Sequence, residues 1–404
     1  MPAMQARIPP VVITVARSFV AAAAFGYLFD LWHQTRDHLT SGPDGRPFGD
    51  DWVNYWSGGY LALHGHATQV YGLLTFHAFE QSIVGPLSGY HYSYPPVMLL
   101  ISAPLALIPY VPGLFAWLAT SWYAFYRVLK HVMGQMGQGA LLFALATPAV
   151  LINAVGGQNG CWTAALLGGG LSLIERRPYL AGVLFGLMAY KPHLAILLPV
   201  ALIAGRQWRT IAAAAATVAV LVAVSALVFG PEIWTLFFRN VTVLRHVILE
   251  ENEVNNRMVS VFVAARPLGA SIATGYWIQA VFGLAACIAV AAVWFKEAPA
   301  GIRNAVLLLG TCFATPYLQD YDMVFGALVA VWLWQQPLEV YPSERALQIA
   351  SALLLLLPLA ASPLALATGL TYGPLFILPL FVLALRAAFA PREAFTAVPV
   401  ADRA

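Results

Sequence analysis

Two adjacent carboxylates are the first residues in this chain able to do chemistry: Gly49-Asp50-Asp51-Trp52-Val53-Asn54-Tyr55-Trp56 sets Asp50 and Asp51 directly before an aromatic run. A carboxylate in a partly apolar setting has a raised pKa and can take the proton of a hydroxyl nucleophile. Helix N-capping by either aspartate is the competing use of the same residues. Two carboxylates without further ligands make a poor metal site. The stretch Tyr92-Ser93-Tyr94-Pro95-Pro96 joins a loop to an apolar run, a place where tyrosine and first-turn proline are also ordinary structural choices. Gly156-Gly157-Gln158-Asn159 and Lys191-Pro192-His193 each interrupt apolar sequence. They supply amides, an imidazole, and a lysine with no acidic neighbour in sequence. Such a cation at a helix break suits an anionic group such as a phosphate, with snorkelling as the structural alternative. The last group, Thr315-Pro316-Tyr317-Leu318-Gln319-Asp320-Tyr321-Asp322, contains a D-x-D tripeptide of the kind that binds a metal in nucleotide-sugar enzymes. Capping of a helix beginning near Met323 would use one of its aspartates.

These groups stand in an apolar chain, and that raises their interest. Of 404 residues, 60% are hydrophobic and 10% charged, against about 25% charged in an ordinary soluble domain. Apolar runs of the ~20 residues needed to cross a bilayer recur along almost the whole length. An ionisable side chain at membrane depth costs about 2.5–3.5 kcal/mol, so those retained are weighted toward function. The formal charge of +3 is small and dispersed, with no basic block to track a phosphate backbone, which argues against nucleic acid as a partner. Cys161, Cys287 and Cys312 lie far apart in apolar sequence and read as packing residues. The run over residues 8–29 is too long for a signal peptide and reads as the first membrane helix.

Punctuation by Pro, Gly and charge predicts helices near 8–29, 94–109, 112–131, 139–155, 160–175, 178–190, 192–205, 210–229, 271–295, 303–316, 322–334, 345–362 and 371–389. The expected fold is all-α and polytopic, one membrane domain over 1–404 with roughly 11–13 spans, some of them broken or re-entrant. Two segments are too polar to span: a first loop over residues 30–93 and a second over 231–270. Residues 52–64 and 71–84 of the first have helical periodicity and are expected to lie flat on the membrane surface. Arg176 and Arg177, Arg206 and Arg209, Lys296 and Arg303, and Arg386 and Arg392 read as cytoplasmic by the positive-inside rule, which puts both large loops, Lys191 and residues 319–322 on the outer face. Arg127 and Lys130 fit this scheme only if residues 94–130 make one crossing plus a re-entrant piece.

In their order, these motifs make the chain resemble glycosyltransferase family 87, the GT-C membrane enzymes that include polyprenol-phosphate-mannose-dependent α-mannosyltransferases. The resemblance runs over about residues 48–334. It rests on D-W-x-x-Y-W at Asp51–Trp56, Gly65, Val70-Tyr71, Tyr94-Pro95-Pro96, Gly157-Gln158, Arg176-Arg177-Pro178, Ala181-Gly182, Lys191-Pro192, Arg206-x-Trp208-Arg209, Pro316 and Asp320-Tyr321-Asp322. It implies a GT-C-like fold and transfer of a sugar from a polyprenyl-phosphate donor to a lipid or glycan hydroxyl, with inversion at the anomeric carbon. It places the active site on the periplasmic or exterior face of a bacterial inner membrane. Asp51 is then the general base with Asp50 its rival, and no metal or other cofactor is expected. Tyr55, Tyr94, Gln158, Asn159, Lys191, His193, Arg257, Gln319, Asp320 and Asp322 are expected to bind substrate, with His246 a further cation for the leaving phosphate. Where mannosyltransferases of the family tend to carry histidines in the last polar knot, this chain has Gln319-Asp320-Tyr321-Asp322. The rival expectation is a transporter or flippase with Lys191 in a midplane site, although no internal repeat supports it.

Overall fold

The computed structural model describes residues 10–34, 45–87, 89–134, 139–251, 256–391 and 393–396. Most of its helices follow the predicted apolar runs, but the second loop expected over 231–270 carries helices of its own at Glu232–Leu244 and Val261–Ala265. The helices are α1 (Pro10–Gln34), α2 (Trp52–Leu63), α3 (Leu73–Val84), α4 (Val97–Leu105), α5 (Tyr110–Met133), α6 (Ala140–Ala146), α7 (Pro148–Val155), α8 (Gly160–Leu173) and α9 (Pro178–Leu187). They continue as α10 (Leu198–Ala204), α11 (Trp208–Phe229), α12 (Glu232–Leu244), α13 (Val261–Ala265), α14 (Ile272–Phe295), α15 (Ala300–Ala314), α16 (Gly326–Trp334), α17 (Glu344–Thr368), α18 (Gly373–Ala388) and α19 (Glu393–Thr396). Among the described residues there is no strand, and the protein is an all-α, multi-pass membrane protein.

Local chemistry sets the ends. The Ser343 side chain accepts the Ala346 N–H at 3.1 Å to start α17, and Gly369, at φ +71°, closes it in a left-handed turn that a Cβ would oppose. Ser271 starts α14 in the same way. Among the described residues, four helices are long and apolar enough to cross a membrane: residues 13–33, 208–229, 272–295 and 344–368. Their outward residues stay apolar, with Leu227, Trp277, Leu284 and Ile288 all more than half exposed, as a hydrocarbon solvent requires. The helices over 160–173, 178–190, 192–204, 300–314 and 373–388 are apolar but shorter than a full crossing. By helix length the full crossings are thus fewer than the 11–13 expected spans, because several of the predicted helices are too short to cross alone and the run over 139–155 is broken at Thr147-Pro148.

One expectation about the first loop changes. Residues 52–63 do not lie on the surface: Trp52 to Gly59 and Leu61 are all buried, because α4 folds back over α2 closely enough that a Cβ on Gly59 would strike the Ser102 carbonyl. The α4 and α5 axes bend by 119° at the break between them. Trp52 Nε1 donates to the Tyr110 carbonyl at 2.9 Å at the start of α5, and Gln335 Nε2 donates to the Val132 carbonyl at 2.7 Å at its end. Only α5 therefore advances across the protein, which puts Arg127 and Lys130 at the end where the other basic loops gather. There Arg303 pairs with Glu175 and lies 4.9 Å over the Trp294 ring, and Lys296 sits 4.8 Å over Phe389. Arg392 falls outside the described residues.

Close helix packing comes from small residues. Gly182 and Gly186, one turn apart on α9, meet Ala213 Cβ and Thr217 Cβ of α11 at 2.6 and 2.5 Å from where a Cβ of their own would stand. This is small-xxx-small packing, in which backbone approach replaces a hydrophobic driving force. Gly182→Val or Gly186→Val is expected to destabilise the protein by about 1–3 kcal/mol, seen as a lower thermal midpoint in detergent. An unchanged midpoint would mean that the α9–α11 contact contributes little.

Candidate functional site

The four polar breaks meet at one end of the helices. Asp51 occupies the N-cap position of α2 but makes no capping hydrogen bond; φ and ψ there are −64° and −6°, already helical. The capping alternative for this residue is thereby set aside. Its Oδ2 instead accepts from Gln158 Nε2, and Oδ1 lies 3.3 Å from the Asn54 side-chain amide. Gln158 reaches it because Gly157, at φ +59°, lies against the loop before α2: a Cβ there would strike the Gly49 carbonyl and stand 2.8 Å from Trp52 Cβ. Trp117 Nε1 holds the Gln158 carbonyl at 3.2 Å.

From Gln158 a buried network runs inward. Tyr55 donates to Gln158 Oε1 at 3.2 Å, and its hydroxyl meets that of Tyr94 at 2.7 Å. Asn159 Nδ2 donates to both tyrosine oxygens at 2.9 and 3.0 Å, while its Oδ1 accepts from Lys191 Nζ at 2.9 Å. Lys191 Nζ lies 2.5 Å from Asp322 Oδ1, with the two side chains 2% and 0% exposed, and 4.6 Å over the Tyr321 ring. Asp322 Oδ2 accepts the Gln319 N–H at 3.1 Å as half of a capping box. Lys191 is thus not the isolated cation that its sequence neighbourhood suggests. Its anion lies 131 positions further along the chain.

A second set of charges faces open space. Asp50, at φ +47°, accepts the Tyr90 hydroxyl and lies 3.3 Å from Arg257 Nη1. Arg257 also reaches Asp320 from Nε and Nη2, both at 3.3 Å. A short antiparallel bridge between Met258 and Gln319, with Asp320 N–H on the Arg257 carbonyl at 3.0 Å, fixes that contact. The D-x-D aspartates are accordingly divided between two cations and present no paired carboxylates to one ion. Among the described residues no three His, Cys, Asp or Glu side chains gather as a metal site.

Between these elements lies a cavity of about 850 Å³. Of the expected site residues, Asp50, Asp51, Tyr94, Arg257 and Gln319 line it. Tyr55, Gln158, Asn159, Lys191, Asp320 and Asp322 stand behind that wall and hold it. His193 is set apart, its ring edge-on to Tyr317 at 5.4 Å, and His246 is exposed at the surface, occupied by Glu250 at 3.1 Å and Glu251 at 3.2 Å. The lining also includes Asn54, Tyr90, His91, Tyr317 and Tyr321, together with Val247 and Ile248 from a π-helical turn over Arg245–Glu250. Asn54 and Tyr321 sit inside motifs the sequence already marks. Tyr90 and His91 carry no such signal. Burial pushes the Asp51 carboxyl up to about 7, with the Asp50 charge adding to the rise and Arg257, the Gln158 hydrogen bond and Lys191 opposing it. Asp51 is thereby poised to accept a proton near neutral pH. A separate recess of about 280 Å³ is lined by apolar and aromatic side chains, among them Met98, Trp117, Trp162 and Tyr190.

Residues 92–316, more than half of the chain, match the model of glycosyltransferase family 87. That span includes Tyr94, Gln158, Asn159, Lys191 and Arg257 and lies between Asp51 on one side and Asp320 and Asp322 on the other. No curated protein and no solved structure matches the chain.

Removing one member of a buried ion pair strands the other, at a cost of about 3–5 kcal/mol, whereas replacing both by apolar groups is often close to neutral. Lys191→Met is therefore expected to lower the thermal midpoint in detergent sharply, and Lys191→Met/Asp322→Leu to recover a large part of the loss. Equal midpoints for wild type and Lys191→Met would show that the pair does not hold this wall.

Proposed function

The chain belongs to glycosyltransferase family 87, a membrane glycosyltransferase, and from that premise we propose that it moves a sugar from a polyprenyl-phosphate donor to a lipid or glycan hydroxyl with inversion, Asp51 acting as general base. The observation that carries this reading is the Asp51 carboxylate on the wall of an 850 Å³ cavity that Arg257 also lines. One group accepts a proton. The other is a fixed cation.

In the proposed reaction the acceptor hydroxyl attacks the anomeric carbon from the face opposite the phosphate. The new C–O bond forms as the bond to the phosphate oxygen breaks, the hydroxyl proton passes to Asp51, and the electron pair leaves with the polyprenyl phosphate. Charge grows on the departing phosphate, where a preorganised cation acts most strongly. Arg257 is placed for that role, held from two sides by Asp50 and Asp320. Lys191, spent on Asp322, serves the wall rather than the phosphate. The tyrosine pair Tyr55 and Tyr94 orients Gln158 and so Asp51. With the donor's tail in the membrane, both large loops and this cavity face the outside of a bacterial inner membrane. The sugar is a hexose or pentose, and the absence of histidine from residues 319–322 leaves mannose without special support. Membership of an enzyme family weighs against the transporter reading.

The test is the purified protein supplied with a panel of polyprenyl-phosphate sugars and extracted lipids. Donor consumption is expected for the wild type, and Asp51→Asn should lose about 10²–10⁴-fold in kcat. Asp50→Asn should lose less, by loosening Arg257. Because the base must be ionised, kcat/KM should fall as pH drops below about 7, following the raised Asp51 pKa. No turnover with any donor, or full activity of Asp51→Asn, would overturn the assignment. Impermeant thiol labelling of cysteines placed between residues 45 and 93 should succeed from outside intact spheroplasts. Labelling only after lysis would reverse the orientation.

A further inference from the structure

One buried carboxyl beside this site has no part in the reaction above. The inward face of α3 repeats at Phe76, Glu80 and Val84, while Leu74 on the other side is 86% exposed. Glu80 therefore occupies a position where helical patterning calls for an apolar residue. It is wholly buried, and an ionised carboxylate there would lack compensation. Burial, and after it the Asp51 charge, pushes its pKa up to about 9, so at neutral pH it is the acid and carries one O–H donor. Its Oε2 has no hydrogen-bond partner among the described residues.

Asn54 stands between Glu80 and Asp51, and its amide can be placed in two ways. With Nδ2 toward Asp51 it donates to Oδ1 at 3.3 Å, and the amide oxygen then faces Glu80. Turned over, Nδ2 donates to Glu80 Oε1 at 3.1 Å and to the His91 carbonyl at 3.2 Å, and the amide oxygen faces Asp51. An amide has its donors on one side only, so it cannot serve two carboxylates at once. The first arrangement needs Glu80 to hold a proton and donate it to the amide oxygen, and it forgoes the bond to the His91 carbonyl, which then lies 3.2 Å from that oxygen. The second is complete when Asp51 holds the proton.

We propose that Glu80 is a positioning residue for the base: acting through Asn54, it remains protonated and keeps the amide N–H on Asp51 while Asp51 is ionised. The proposal rests on Asp51 being the base. No proton passes through the amide, and the proton taken from the acceptor hydroxyl stays on Asp51. The charged and titratable groups around the pair are Asp50, Arg257 and Lys191 on the Asp51 side and His77, His91 and Tyr110 on the Glu80 side.

The test compares Glu80→Gln, which keeps an N–H for the Asn54 amide oxygen, with Glu80→Leu, which keeps only the volume. Glu80→Gln is expected to stay within about threefold of wild type in kcat at neutral pH. Glu80→Leu is expected to lose about tenfold in kcat with KM unchanged, as for one lost charge-assisted hydrogen bond, and to shift the acid limb of kcat/KM to higher pH. Glu80→Leu/Asn54→Leu should be no worse than Asn54→Leu alone, since both act through one contact. Thermal midpoints identify a variant that has simply unfolded, in which case Glu80→Gln and Asn54→Leu still decide the matter. An acid limb at the wild-type pH in both Glu80 variants, or losses that multiply in the double variant, would overturn the role of Glu80. If Asp51→Asn itself keeps full activity, the base assignment fails first, and that outcome is separable from the others.

Discussion

A lysine ammonium withdrawn from water into an apolar helical protein must meet an anion and fill its remaining donor positions, and most of the site follows from how Lys191 does so. Asp322 neutralises it, Asn159 accepts a second hydrogen bond, and the Tyr321 ring lies beneath it. Because Asn159 also donates to Tyr55 and Tyr94, and Tyr55 donates to Gln158, one charge pair fixes a chain of hydrogen bonds that ends on Asp51. Buried polar networks are stable only when every member is satisfied. The links named here form such a continuous run from the 315–325 break to the first loop.

The same constraint explains why the backbone is irregular where it is. Residues 156–159, 188–195 and 315–325 leave α-helical geometry, which is tolerated at membrane depth only where protein covers the freed polar groups. Each of these breaks places a polar side chain in the network. Arg257 performs a parallel task nearer the opening, joining the second large loop to Asp50 on one side and Asp320 on the other. Four segments distant in sequence thus share two charge centres, one sealed and one facing the cavity. The sealed centre lies buried behind the wall, and the open one lines the cavity.

The motif reading and the geometry agree on which segments matter and differ on what single residues do. Lys191 reads from sequence as a phosphate-binding cation because its partner, Asp322, is remote in the chain. Asp320 and Asp322 read as a possible metal pair because adjacency in a tripeptide suggests a shared ligand, whereas alternate side chains here turn to different cations. His193 follows Lys191 directly yet packs behind Tyr317. Asp51 reads as a potential helix cap, and only Gly157, by admitting Gln158, gives its carboxylate other work.

By itself the sequence determined the all-α membrane character, the family and the positions of most apolar helices, though not the helices within 231–270 or the break at Thr147-Pro148, because these calls depend on local composition and on punctuation by Pro, Gly and charge. The folding of α4 back over α2, which buries a helix whose periodicity suits a surface, was decided by tertiary packing, as close contact at Gly59 makes plain. So was the division of labour among the charges, since electrostatic pairing is a matter of distance in space and carries no mark in sequence. Asp51 was legible as a carboxylate in the right place. That it shares an amide with Glu80, a residue hidden in an otherwise ordinary amphipathic helix, became visible only once α2 and α3 were packed together.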